Sequence, residues 1–529
     1  MEKKNKGCIL AIDLGTSGPK VVVADLAGGF LAQTLEKTPV KFLPGGGAEQ
    51  DPEDWWKAIV RASRRAISES GQKDNILAVS CSTQWSGTVP LDRNGNVLAD
   101  AIIWMDSRGA KYVRKLVGGP ISIDGYSVVS LPVWIRLTAG IPAKSGKDSI
   151  AHILLIKNEM PELYEQTDMF IEPKDYINYR LTGEKAASFD SITLHWVTDN
   201  RNISNVKYSP LLLKMAGIDR DKLPPLRGVS EILAPLSKKA ASELGLKPGL
   251  PVITGSPDLQ AAAIGSGAVK DYASHLCVGT SSWLTCHVPF KKTSLLHNMA
   301  TLPSGIPGRY FVANEQETAG ACLLFFRDKI VYFDDRFGVK GERPDFFESF
   351  FSDAASVPPG SGKVIFAPWL YGERTPVDDH FVRGAFFNLS MDTNRSDMAR
   401  AVLEGVAYNT RWLFEHFMKF IGRNVDTINF IGGGARSDLW CQIFADVLDR
   451  PIQRMKDPLH ANARGASVQA AVALGEMSFD ESARMVPMDR MFEPMPANRQ
   501  VYDDLFGVYL GLYKANKGLY ARLNRSDGV

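Results

Sequence analysis

No stretch of this chain is long, apolar and uncharged enough to span a membrane, and no surplus of one charge points to a polyanionic partner. Lys and Arg number 61 against 59 Asp and Glu, for a formal net charge of +2. No basic block stands out that could track a nucleic-acid backbone or an anionic lipid surface, so neither nucleic acid nor membrane is expected as a partner. The opening residues MEKKNKGCILAIDLG carry lysines, but Asp13 cuts the apolar stretch behind them. They read as neither signal peptide nor span, and a cytoplasmic location is expected. Cysteine is scarce, six in 529 residues and never in a CxxC pair. That spacing argues against disulfides and cysteine-bound metal and for reduced core thiols. Low-complexity segments and long linkers are missing too. What remains is small-molecule chemistry on a chain too long for one hydrophobic core.

The first pattern present is strand, tight turn, strand: Ile9 to Ile12, Gly15 to Gly18, then Lys20 to Ala24, closed by Asp25 to Gly29. ASHLCVGTSSWLTCHV, Ala273 to Val288, repeats the design. Self-similarity of this kind predicts two related domains, each opening on a turn-bearing hairpin. ILAVSCS and LPVITGS read as further strands, and DPEDWWKAIVRASRRAISES as a helix, so the class is α/β, built twice. In the second half Met398, Val402, Val406 and Leu413 keep helical spacing, TINFIGGGARSDLWCQIFADVLD reads as strand, glycine turn and helix, and Tyr502, Phe506, Tyr509 and Tyr513 form one face of a terminal helix. The Gly/Ala-rich stretch AAAIGSGAVKDYAS is the expected domain junction.

Asp13 is the anomaly, because an acid inside a buried strand is costly without a partner, a network or a metal. Beside it, DLGTSG offers backbone N–H groups and hydroxyls to a polyphosphate. The carboxylate can hold a hydrated Mg²⁺ through water. A second such turn, Gly279 to Ser282, makes a nucleotide cleft of the pair. Two nearer-sounding motifs fail. KSGKDS, Lys144 to Ser149, lacks the P-loop's first glycine, Ile141 standing there, and has Asp148 after the lysine. IGGGARSD has Ser437 in place of a dinucleotide fingerprint's third glycine. A flat adenine could still lie against Gly433 and Gly434, where no side chain keeps it away.

These segments together resemble the FGGY carbohydrate-kinase family, a sugar-kinase branch of the actin and hexokinase superfamily, and most of all the xylulose kinases within it. The resemblance runs nearly end to end, through AIDLGTSGPKVVVAD, IIWMDSR, EPKDYINYRLTGE, TGSPDLQAAAIGSG, CVGTSS, PWLYGERTP, RAVLEGVAYN and FIGGGARSDLWCQIFADVLDRPI. It implies two ribonuclease-H-like domains, residues 1–268 and 269–529, with an interdomain cleft, sugar on the N-terminal side and ATP between them. It implies Asp258 as the general base toward the attacking sugar hydroxyl, and Asp13 as support for Mg²⁺. ATP falls to Thr16, Ser17 and Lys20 in the first hairpin, Gly279 and Thr280 in the second turn, and Gly433, Gly434 and Ala435 at adenine. The sugar falls to Gln84, Trp85, Trp104, Asp106 and Asp258. An aromatic wall beside carboxylates suits a sugar's apolar face and ring of hydroxyls, with Arg108 in the same cluster.

The chain also departs from the family. STQWSG carries Trp85 and Ser86 where xylulose kinases have Met and His, and DPLHANARGASVQAA lacks the acids common before the family's small-residue helix. The Arg-Glu pair of glycerol kinases is absent as well. The expected activity is ATP- and Mg²⁺-dependent phosphorylation of a ketopentose such as xylulose. Ribulose, gluconate, a deoxyketose or a polyol are the alternative substrates. A silent sugar-binding regulator on the same scaffold and an actin-like nucleotide switch are the rivals from other classes. The expected partners are sugar and ATP, and the reading is compatible with a homodimer.

Overall fold

The run from Cys8 to Gly15 is buried along almost its whole length, as expected of a strand covered on both faces. In the structure, a computed structural model describing residues 7–26, 28–333 and 345–525, it lies inside a six-stranded sheet. The strand order is Ile232–Pro235, Pro251–Pro257, Ile76–Thr83, Cys8–Gly15, Gly18–Asp25 and Phe30–Leu35. Pairing is parallel among Pro251–Pro257, Ile76–Thr83 and Cys8–Gly15, and antiparallel through the hairpin beyond. Residues 1–6, in the opening segment weighed as a signal peptide, and Ala27, in the closing turn, lie outside the described residues.

The second half repeats this order. Tyr310–Ala313, Ser282–Val288, Ser274–Val278, Ile428–Ile431 and Ile452–Met455 lie side by side, parallel over the last three and antiparallel before them. The edge strands differ in origin. Met488–Phe492 follows its neighbour in the chain, whereas Ile232–Pro235 precedes its own. The first hairpin is tighter than its sequence suggests, because Gly15 pairs directly with Gly18 and only Thr16 and Ser17 remain in the turn. Gly18 has φ +128°, and a Cβ there would stand 2.2 Å from the Glu36 carbonyl oxygen, so the turn can close only on glycine.

The helices follow their patterns. Pro52–Ser70 is capped by Asp51, which accepts from Glu53 N, and Arg395–Ile421 by Asn394 in a capping box. The terminal helix Arg499–Asn524 buries Tyr502, Leu505, Phe506 and Tyr509. All six cysteines are free and buried. The expected junction begins inside a helix, since Ala261–Gly265 belong to the buried helix Asp258–Gly265. That helix crosses Ala461–Ala473 backbone to backbone. A Cβ on Gly265 would lie 1.8 Å from the Ala461 carbonyl oxygen, and one on Gly465 1.8 Å from that of Ala261. Ala463, Ala466 and Ala470, from the second half, pack on Ile9, Ala11, Val22 and Ile253 of the first sheet. Small residues therefore form the seam between the lobes, and the cleft opens along it.

Candidate active site

Asp13 sits near the end of its strand with its carboxylate fully buried. Lys20 Nζ, on the returning strand, reaches its Oδ2 at 3.2 Å, and Asn462 Nδ2, at the start of Ala461–Ala473, donates to its Oδ1 at 3.3 Å. Asp258 opens the neighbouring helix, its Oδ1 accepting from Leu259 N at 2.9 Å. Burial first, and then the negative charge of Asp13, push the Asp258 carboxyl up to about 7. Two interacting carboxylates thus meet at the cleft floor. Asp13, in turn, holds the Lys20 ammonium firmly protonated against its desolvation.

The two turns flank this floor. In the second, the carbonyl oxygens of Gly279 and Thr280 accept from Gly320 N at 2.8 Å and Ala319 N at 2.9 Å. The turn is thereby anchored from behind, with Thr280 exposed. In the first turn Ser17 is exposed, but Thr16 is committed elsewhere. Its hydroxyl donates to Gln84 Oε1 at 2.9 Å and accepts from Trp104 Nε1 at 2.9 Å. Gln84 Nε2 donates to Gln50 Oε1 at 2.8 Å, and Gln50 Nε2 returns to the Thr16 carbonyl at 3.0 Å. Thr16, expected on the phosphates, is the link between the phosphate turn and the residues expected at the sugar.

The remaining expected residues divide. Asp106 is buried and accepts from Ala48 N at 3.0 Å, from Arg108 N at 2.9 Å and from Arg108 Nε at 2.9 Å. Its carboxylate is thus occupied in aiming Arg108, which also pairs with Glu49. Trp85 is core: its indole N–H donates to the Ser191 carbonyl at 2.9 Å and its ring packs in the apolar cluster of Val113, Trp134, Phe170 and Trp196. At the expected adenine site Gly433 is open, since a Cβ there would meet nothing within 4 Å, whereas a Cβ on Gly434 would stand 2.8 Å from Val278 Cγ1 and Ala435 is buried. Sequence reasoning missed Gln50 and Asn462. It also missed the ion lattice facing Asp258, where Arg374 bridges Glu315 and Glu317, the latter 4.0 Å from Lys147. Arg374 lies in PWLYGERTP, a segment that carries the family resemblance, but nothing local marked it or its partners.

Among the described residues no three or more His, Cys, Asp or Glu side chains could cage a metal ion. Mg²⁺ needs no such cage, since it keeps much of its hydration and takes one or two carboxylates plus phosphates. The paired acids Asp13 and Asp258, beside turns that offer N–H groups, fit that demand.

Two lobes of one topology, closing on paired carboxylates between two phosphate-sized turns, define a two-lobed phosphotransferase of small polar substrates. The chain belongs to the FGGY family of carbohydrate kinases, whose N-terminal domain matches residues 8–265 and whose C-terminal domain matches residues 275–474. It is thus an enzyme that phosphorylates a sugar, of xylulose-kinase-like type. A xylulose kinase of Staphylococcus epidermidis is 29% identical, the alignment covering 98% of this chain and 99% of that protein. Among solved structures, a gluconate kinase from Lactobacillus acidophilus superimposes with a TM-score of 0.84 at 25% identity, over 98% of this chain and 99% of that one. A ligand-bound xylulose kinase from the same organism gives 0.84 at 25% identity, over 98% and 100%. Among the described residues no helix is long and apolar enough to cross a membrane.

Proposed function

We propose that the protein transfers the γ-phosphoryl group of ATP to a hydroxyl of a ketopentose such as xylulose, with Asp258 as the general base. The observation that carries this reading is the Asp258 carboxyl, held in the cleft next to Asp13 and raised to about 7. That value suits a group that must take a proton near neutral pH. Asp258 accepts the proton of the sugar hydroxyl while its oxygen forms the new bond to the γ-phosphorus. The bond from that phosphorus to the bridging oxygen breaks, and ADP leaves. Such a transition state asks for position and charge neutralisation above all. Asp13 would hold a hydrated Mg²⁺, which when bound neutralises charge building on the phosphate oxygens. Ser17, Lys20, Gly279 and Thr280 would contact the phosphates, and Gly433, where a Cβ would meet nothing within 4 Å, would leave a face for adenine. Residues 1–268 would carry the sugar side and the first phosphate turn, and 269–529 the second phosphate turn and the adenosine side.

A neutral sugar is favoured over an aldonate by the pairing of the nearby cations. Arg108 faces Asp106 and Glu49, Arg374 faces Glu315 and Glu317, and Lys147 stands by Glu317. A substrate carboxylate would have to break one of these pairs and leave a carboxylate behind. Solved structures named for xylulose and for gluconate kinases superimpose equally well, so the test is a coupled assay over ketopentoses, gluconate, polyols and deoxyketoses. Highest kcat/KM on a ketopentose is expected. Preference for gluconate would overturn the substrate, and silence on every sugar would overturn the catalytic reading.

A further inference from the structure

Asp13 is held by two tethers of different kinds. Lys20 grips Oδ2 from the end of a flexible stem, with 28% of its side chain exposed, so its ammonium is free to swing to a phosphate oxygen. Asn462 grips Oδ1 through a short side chain at the second position of Ala461–Ala473. That helix cannot readily shift, because Ala463, Ala466 and Ala470 are packed into the first sheet and Gly465 touches the crossing helix. An amide can donate to a carboxylate, whereas an acid at this place would repel it. The segment does lack acids, running HANARG from His460 to Gly465.

We infer that Asn462 is a positioning residue for the cation: it fixes Asp13 Oδ1 so that, when Lys20 leaves Oδ2, the carboxylate keeps its orientation toward a hydrated divalent ion. Asn462 belongs to the second half of the chain and Asp13 to the first, so the second half, through a helix packed on the first sheet, helps to set the carboxylate. The inference rests on the reading of Asp13 as the cation's carboxylate.

The test titrates Mn²⁺, as a spectroscopic stand-in for Mg²⁺, into full-length protein with ADP and no sugar, followed by electron paramagnetic resonance. Asn462→Ala, and Asn462→Ser whose hydroxyl is too short to span the gap, are compared with Asp13→Asn. Loss of a hydrogen bond to a buried carboxylate is expected to weaken Mn²⁺ binding and raise the Mg²⁺ concentration for half-maximal turnover by about tenfold in both Asn462 variants. The KM for sugar should stay within about twofold of wild type, since the sugar residues are untouched. Unchanged or tighter Mn²⁺ binding in the Asn462 variants, with Asp13→Asn weakened, overturns the role of Asn462 alone. Unchanged binding in Asp13→Asn overturns the reading of Asp13 and the inference with it. A fall in melting temperature without any change in Mn²⁺ affinity would mark Asn462 as a structural clasp and also overturn it.

Discussion

At Asp258 the chemistry and its environment make separate predictions. The carboxyl is raised to about 7 chiefly by burial and then by Asp13, and a general base must be ionised to act. The kcat/KM of the free enzyme is therefore expected to fall as pH drops through about 7 and to level off above it. Asp13→Asn removes a negative neighbour and should move that limb to lower pH, whatever it does to the rate. A limb near the ordinary carboxylate range in the wild type would contradict the environment described. Asp258→Asn keeps the acceptor for Leu259 N, so the melting temperature should hardly change. Turnover at saturating sugar and ATP should fall by about 10²–10⁴-fold, or roughly 3–5 kcal/mol of barrier. Near-normal turnover would falsify the base assignment. Asp13 was legible in the sequence because an acid in an apolar strand needs a reason, and Asp258 through the resemblance of its segment to a kinase family. Asn462 was not legible, because its partner lies 449 positions away and an Asn at a helix start looks like an ordinary polar residue. Trp85 misled in the opposite direction: a tryptophan beside a glutamine suits a sugar wall or a core equally, and only the packing around Trp134 and Trp196 decides.

Among the elements, the strands and long helices follow from alternation and helical spacing, and the hairpins were placed to within a few residues. What sequence could not supply was the crossing of Asp258–Gly265 with Ala461–Ala473, where the meaning of each glycine depends on a distant backbone. The stretch around Gly265 reads as a domain junction because it is rich in Gly and Ala. Here they are small because two helices touch. Gly465→Ala separates the two ideas. In an isolated helix the change is stabilising by up to about 1 kcal/mol. At this crossing the new Cβ would meet the Ala261 carbonyl oxygen at 1.8 Å, and backbone cannot rotate aside as a side chain can. Overpacking of this kind costs about 1–3 kcal/mol, so a net loss of stability is expected in a denaturant melt, seen as a lower midpoint. An unchanged or higher midpoint would mean that the helices separate easily and that the seam is loose.

For the whole molecule, the distribution of ties between the halves decides how it can move. Deep in the seam they are dense and buried. Gln469 Nε2 donates to Ser256 Oγ at 2.7 Å, Arg464 Nε to the Gly28 carbonyl at 3.1 Å, and Gln260 Nε2 to the Pro303 carbonyl at 3.0 Å. Lys291 Nζ to the Ile135 carbonyl at 2.7 Å and Tyr310 Oη to the Asn200 carbonyl at 2.8 Å extend the line. Beside the site the contacts loosen, Lys147 and Glu317 standing 4.0 Å apart with part of each side chain in solvent. A molecule tied along one line and loose on the other side rotates about that line, so closure narrows the cleft without sliding the seam. Closure should need both ligands, because the nucleotide is assigned to the first half only at its phosphate turn, and without sugar the rest of that wall lacks its contacts. It also has a chemical purpose, since water left beside the γ-phosphate would compete with the sugar hydroxyl. Small-angle scattering is therefore expected to show a smaller radius of gyration with sugar plus a non-hydrolysable ATP analogue than with either alone or neither. The change should be modest, because the seam holds the lobes at a fixed distance at its base. A radius that does not respond to the pair of ligands would count against closure, and a radius that falls as far with nucleotide alone would place both contact surfaces on the nucleotide.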